Sequence, residues 1–175
     1  TAIPVEDMLD ITPTPTGCGA AGNAAYFCDY VTSIITTNPA FGETEAERRQ
    51  LLLRGGLEIH TTLDLDMQDD AHDTVMDTVP VDDPSGVSST IVSVEPGTGE
   101  IKAMAQNTEW GKPEEDSIRN TEVNFNVDRA FGGGGGFQGG STFKVYVLAE
   151  WLRQGNTLAD RVDASQGQHF PRSSW

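Results

Sequence analysis

SSTIVSVEPGTGEIKAMAQ, residues Ser88–Gln106, decides the class of fold. Its two halves, STIVSVE and EIKAMAQ, are of strand length and rich in β-branched and apolar residues. Between them Pro96, Gly97, Thr98 and Gly99 are the residue types that reverse a chain, so the stretch predicts an antiparallel hairpin. Upstream the period changes twice. LEIHTTLD puts Leu57, Ile59, Thr61 and Leu63 on one face, which predicts a strand. Asp64 or Asp66 then caps a helix through MQDDAHDTVMDTV, where Met67, Ala71, Val75 and Met76 recur near helical spacing and the acids form a solvated face.

Farther upstream, ETEAERRQLLLR (Glu43–Arg54) has acids early and arginines late and meets Gly55 and Gly56. That predicts a helix with favourable dipole charges and a glycine stop. Asn23–Ile35 predicts another helix, and IPVEDMLDITPTPTG (Ile3–Gly17) an extended linker. Downstream, NTEWGKPEEDSIRNTEV (Asn107–Val123) is polar and aperiodic, the pattern of a loop. Gly132–Gly135, the front of the tract Gly132–Gly136, reads as a flexible linker. Helices around an antiparallel sheet make this an α+β chain. The expected organisation is a linker region with helices over residues 1–56, then a sheet-bearing domain over 57–175.

Composition narrows the function. Eleven basic against 27 acidic residues give a net charge of −16, which repels phosphate backbones and argues against nucleic-acid binding. Apolar residues make up 37% of the 175, enough for a real core. No apolar run approaches the roughly 18 residues of a membrane span, and no signal peptide is visible, so any anchor is expected upstream of Thr1. In a secreted setting Cys18 and Cys28 read as a local disulfide closing CGAAGNAAYFC; the alternative is two buried thiols. With no histidine near them, no metal site is expected there. His60, His72 and His169 lack convergent acidic partners by spacing and are given structural or surface roles.

The chemistry lies in FGGGGGFQGGSTFKVYVLAEWL, Phe131–Leu152. Ser141 is a favoured residue at a helix start. From Phe143 to Leu152 the only charged residues are Lys144 and Glu150. At about 100° per residue, Val147, Leu148 and Trp151 fall near Lys144 on the wheel, whereas Glu150 shares its side with Arg153 and Gln154. Lys144 is therefore expected on a buried apolar face, one turn from Ser141, where desolvation makes a lysine a usable base. A serine hydroxyl needs such a base before it attacks a carbonyl, and free N–H groups at a helix N-terminus suit the oxyanion that follows. The competing reading is a capping serine with a lysine that snorkels to the surface.

Gly140-Ser141-Thr142-Phe143-Lys144 resembles the active-site serine motif of the penicillin-binding proteins. Val92–Met104 resembles the first hairpin of their transpeptidase domain. Arg54-Gly55-Gly56-Leu57 with Thr61-Thr62-Leu63-Asp64 and Gln68 resembles the linker of the bifunctional class A enzymes. The resemblance covers residues 50–155. It implies a serine β-lactamase-like transpeptidase fold whose Ser141 attacks the D-alanyl-D-alanine amide of a peptidoglycan stem peptide. Lys144 takes the serine proton, and Gly140 and Thr142 line the substrate site. A neighbouring stem's amine resolves the acyl-enzyme into a crosslink, and β-lactams acylate the same serine. No cofactor and no metal are implied. The implied setting is extracytoplasmic and membrane-anchored, with other cell-wall synthesis proteins as partners.

The pattern departs from the family at Gly139 and Val145, where proline is common. An S-x-N motif and a K-T/S-G strand are not found before Trp175, and Ser173 and Ser174 lack the following Asn. The chain thus reads as the linker plus the front of a transpeptidase domain, to be completed by the remainder of that domain. A serine β-lactamase or β-lactam sensor would share Ser141 and Lys144, but the linker at 54–68 argues against both. The non-enzymatic alternative is a scaffold segment of a cell-wall synthase.

Overall fold

A computed structural model describes residues 17–113, 119–163, 165 and 167. The Ile3–Gly17 linker, apart from Gly17, and His169, Ser173 and Ser174 lie outside the described residues. Four helices, α1 (Ala25–Thr37), α2 (Glu45–Arg54), α3 (Leu65–Thr78) and α4 (Phe143–Arg153), accompany four strands, β1 (Thr90–Val94), β2 (Ile101–Gln106), β3 (Glu109–Trp110) and β4 (Asn120–Thr121). The architecture is mixed helix and sheet, α+β in kind. It divides into two units, one ending at Gly136 and the other starting at Phe137. Residues on both sides of Gly56 belong to the first unit, where α1 packs on α2 and on β2.

The hairpin forms where expected. β1 pairs antiparallel with β2, Ile91 opposite Ala105 and Val92 opposite Met104, with a bulge between Ser93 and Val94. Its core face holds Ala103 and Ala105, whose small side chains let α3 bring Ala71 and Val75 against the sheet, with Ile91 and Met76 at the margin. α3 starts at Asp64, whose Oδ1 accepts from Met67 N at 3.0 Å. α2 starts with a capping box: Thr44 Oγ1 accepts from Glu47 N and Glu47 Oε2 from Thr44 N, at 3.2 and 3.0 Å. Arg48 ties α2 to the end of α1, donating to the Thr36 and Gly42 carbonyls at 2.6 and 2.7 Å.

Three expectations fail. LEIHTTLD is not a strand: its contacts with β2 are Asp64 N to Lys102 O at 2.9 Å and Thr62 Oγ1 to Ile101 O at 2.7 Å, and Leu57 and Ile59 are exposed. The next ladder position is already taken. Gln68 sets its carboxamide against Met104, accepting from Met104 N at 2.8 Å and donating to Met104 O at 3.1 Å and to Asn23 O at 2.8 Å. Gln68, not Met67, therefore holds the buried row of α3 with Ala71 and Val75, and Met67 is exposed.

The stretch after β2 is not a plain polar loop either. Asn107, Thr108, Arg119 and Asn124 are buried. Asn107 Oδ1 accepts from Ser89 N at 2.7 Å, while its Nδ2 donates to the Val79 and Val87 carbonyls, both at 3.1 Å. Arg119 donates to Val87 O at 3.0 Å. β3 and β4 pair in parallel across two residues. Polar side chains here replace the regular ladder, so periodicity does not reveal the burial.

Cys18 and Cys28 form a disulfide with Cα atoms 5.5 Å apart, fixing the turn Gly17–Ala24 to the first turn of α1. Thiol titration of the protein folded under oxidising conditions, denatured without reductant, is expected to find no free thiol; two free thiols would refute the bond. Gln68→Leu leaves a buried N–H and two carbonyls without partners and is expected to cost about 2–4 kcal/mol in urea unfolding. The neighbouring Met67→Ala should stay within about 0.5 kcal/mol.

Candidate active site

The route from the sheet to Ser141 begins in a buried amide network. Gln106 Oε1 accepts from Phe125 N at 2.8 Å, and Gln106 Nε2 donates to Thr108 Oγ1 and Val123 O at 2.6 and 3.1 Å. Asn124 Nδ2 donates to Tyr26 O at 2.9 Å. The Tyr26 hydroxyl reaches Thr108 Oγ1 at 2.6 Å and the Glu109 and Thr121 carbonyls at 3.1 and 3.0 Å. Burial holds this phenol above its usual titration range, so it remains a neutral donor. A cavity of about 330 Å³ beside it is lined by Tyr26, His72, Met76, Gln106, Thr108 and Trp110. Its buried polar groups bond one another, and it holds no serine or cysteine nucleophile.

The network places the start of the glycine tract. Asn124 N donates to Gly132 O at 3.2 Å and Gly133 N to Asp128 O at 2.9 Å. A Cβ on Gly133 would lie 1.8 Å from Val127 O, and one on Gly132, whose φ is +88°, would lie 2.9 Å from Asp29 Oδ2. Phe131 stacks edge-on against Tyr30 of α1 at 5.6 Å. Gly132 and Gly133 are therefore packed turn residues, not a flexible linker: their missing side chains let the turn seat on α1 and on the 127–128 backbone. The expectation of flexibility fails here because composition does not distinguish a glycine that is free from one that is crowded.

Ser141 and Lys144 belong to the second unit. Gly140 takes φ +48°, which glycine tolerates and other residues rarely adopt. It opens a 3₁₀ turn, Gly140–Thr142, that runs straight into the eleven residues of α4. The helix cap is Thr142, already helical at φ −60° and ψ −29° and without a side-chain capping bond. Ser141 is thus inside the turn rather than at the cap, and its hydroxyl is not spent on capping. Thr142 N bonds Gly139 O at 3.1 Å, and Phe143 N reaches the Gly140 and Ser141 carbonyls.

Lys144 is one turn beyond Ser141 and is exposed. Burial on an apolar face was expected. The apolar residues are there, but Phe143, Val145, Tyr146, Val147, Leu148 and Leu152 are exposed as well. Among its described residues the second unit has one α-helix, so within that unit no second helix or strand covers the apolar side chains. The polar side is as read: Glu150 bonds Arg153 through both carboxylate oxygens at 2.6 and 2.8 Å and accepts from Gln154 at 2.9 Å. Trp151 Nε1 donates to Thr157 O at 2.9 Å, folding the following loop back on the helix.

His60 and His72 each lie beside a carboxylate close in sequence, Glu58 at 3.2 Å and Asp73 at 3.4 Å, and His60 is exposed. Sequence reasoning missed Gln68, Gln106, Asn107 and Asn124. The available signal was a cluster of carboxamides around a predicted hairpin, since such groups offer a donor and an acceptor wherever a ladder stops. Comparison with family models, with curated proteins and with solved structures finds no match. Gly133→Ala is expected to destabilise the first unit by about 2 kcal/mol or more in thermal or urea unfolding. Gly135→Ala, which meets Arg129 at an ordinary 3.9 Å, should be near neutral.

Proposed function

We propose that this chain carries a serine acyl-transfer centre of the penicillin-binding type, with Ser141 as nucleophile and Lys144 as its base. The observation that supports it most is the position of Ser141. It occupies the turn that opens α4, with a hydroxyl not engaged in capping and Lys144 one turn on. Both features weigh against a merely structural serine. The glycine geometry at Gly140 gives a substrate carbonyl close access to the backbone ahead of the nucleophile.

In this reading Ser141 Oγ attacks the carbonyl carbon of the D-alanyl-D-alanine amide, and its proton passes to neutral Lys144 Nζ. The tetrahedral oxyanion collapses, the C–N bond breaks, and terminal D-alanine leaves with the proton. An amine of a second stem peptide then attacks the ester, forming the crosslink and returning Ser141. Gly140 and Thr142 flank the acyl group. A transpeptidase fold, the peptidoglycan substrate and an extracytoplasmic setting belong to the same proposal. The Cys18–Cys28 disulfide is in keeping with that setting.

One observation favours a second reading, a non-catalytic contact segment of a cell-wall synthase. Lys144 is exposed, and α4 offers apolar side chains to the surface. A lysine works as a base when desolvated, so an exposed Lys144 is expected to give slow acylation. The 175-residue chain, verified intact by mass, is therefore expected to react with fluorescent penicillin over hours rather than minutes. Peptide mapping should place the adduct on Ser141. Ser141→Ala should abolish it and Lys144→Arg should cut it by about 10² or more. An adduct on another serine, or undiminished labelling in Lys144→Arg, would overturn these assignments. No adduct after days at millimolar probe would favour the contact segment.

A further inference from the structure

One carboxylate in the first unit has no evident structural use. Asp29 lies on α1, and its Oδ2 is buried without a hydrogen-bond partner among the described residues. The atom faces the turn at Gly132, where an added Cβ would lie 2.9 Å from it and 3.6 Å from Ser33 Oγ. The contact is thus helix against backbone, with a carboxyl oxygen and a hydroxyl at its centre. The same turn is held by three other contacts already described: Tyr30 on Phe131, Gly133 N on Asp128 O, and Asn124 N on Gly132 O.

We propose that Asp29 is a proton-operated clasp on the glycine turn: neutral, it holds Gly132–Gly133 against α1, and ionised, it lets that turn loosen. A buried carboxylate oxygen without a donor is costly, whereas a carboxylic acid carries its own O–H for a neighbouring oxygen such as Ser33 Oγ. The surrounding charges push the same way. Glu122, just after β4, adds negative potential, and among the described residues no cation offsets it; of the nearby charges, the Asp128 carboxylate caps Ala130 N at 2.9 Å and the Arg129 guanidinium lies beside Gly135. Tyr26, one turn earlier on α1, is held neutral by burial. Desolvation first, then Glu122, raises the Asp29 carboxyl from its ordinary 3.8 to about 6.

The sign follows from the raised value. Folding binds the proton more tightly, so the contact's stability is fully present below the unfolded value of 3.8 and is lost as pH rises through about 6. The contact is therefore weaker at neutral pH than in acid. The inference concerns the turn eight residues before Ser141 and does not depend on what Ser141 does.

Two measurements on the full chain test it. Carboxyl ¹³C shifts should titrate Asp29 near pH 6, and Glu122→Gln should move that midpoint down. Hydrogen exchange at the Gly133 and Asn124 amides, corrected for intrinsic rate, should lose about tenfold protection between pH 4.5 and 7.5; the full ratio implied by the shift is discounted because Asp29 is only half-buried. In Asp29→Asn that pH dependence should vanish. Titration of Asp29 near 4, or an equal loss of protection in Asp29→Asn, would overturn the clasp. Should Asp29→Asn not fold, the Glu122→Gln shift in midpoint and in the protection profile decides alone.

Discussion

The carboxamide of Gln68 is the contact on which the first unit turns. β2 is bonded on both sides, yet only one neighbour is a strand. On the outer side the Met104 N–H and C=O point away from β1, and Gln68 meets both from the first turns of α3. A side chain thereby does what a third strand would do, and it does so from a helix that must also cover Ala103 and Ala105. The helix cannot shift along the sheet without breaking two buried hydrogen bonds. The third bond, to Asn23 O, extends the restraint to the turn that carries Cys18. One residue thus fixes sheet, helix and disulfide loop in a single register, and leaving its partners unmet in a low dielectric is what makes the arrangement specific.

What could be read from the sequence follows from this. The hairpin, α2 and the start of α3 were legible because each rests on local chemistry: turn residues at Pro96–Gly99, a cap at Asp64, charges and a glycine stop around Arg54. The strand expected over Leu57–Leu63 does not form, because its alternation is real but its ladder partner, Met104, is occupied by Gln68. The burial within Asn107–Val123 leaves no period because it rests on Asn107 and Arg119 pairing with the distant Val79 and Val87 backbone and on Thr108 meeting the Tyr26 and Gln106 side chains. Polar residues in a core are invisible to a method that looks for apolar ones.

The candidate site was legible in another sense. Residue types and spacing around Ser141 and Lys144 carry the chemical idea, and the backbone adds that the serine is not a cap. The missing physical quantity is desolvation. A lysine's usefulness as a base is set by what covers it, and a helical wheel reports the face a residue is on, not whether anything packs there. Lys144 stands among apolar neighbours on α4 and is exposed with them. For the proposed chemistry, desolvation of Lys144 would have to come from outside α4, since the residues of α4 leave it exposed.

Glycine links the two units in the opposite manner from that suggested by composition. A run of five is the signature of freedom, yet Gly132 and Gly133 are chosen for crowding: a methyl group on the second would overlap the Val127 carbonyl. The tract therefore begins fixed. Its fixed end packs on α1 beside Asp29, whose Oδ2 has no donor among the described residues, so a charge dependence of that anchorage is what the proposed clasp adds to apolar packing. In a chain of net charge −16 most carboxylates repel one another weakly through water. At Asp29, partly buried, the repulsion from exposed Glu122 is less screened, and it falls beside the backbone of Gly132.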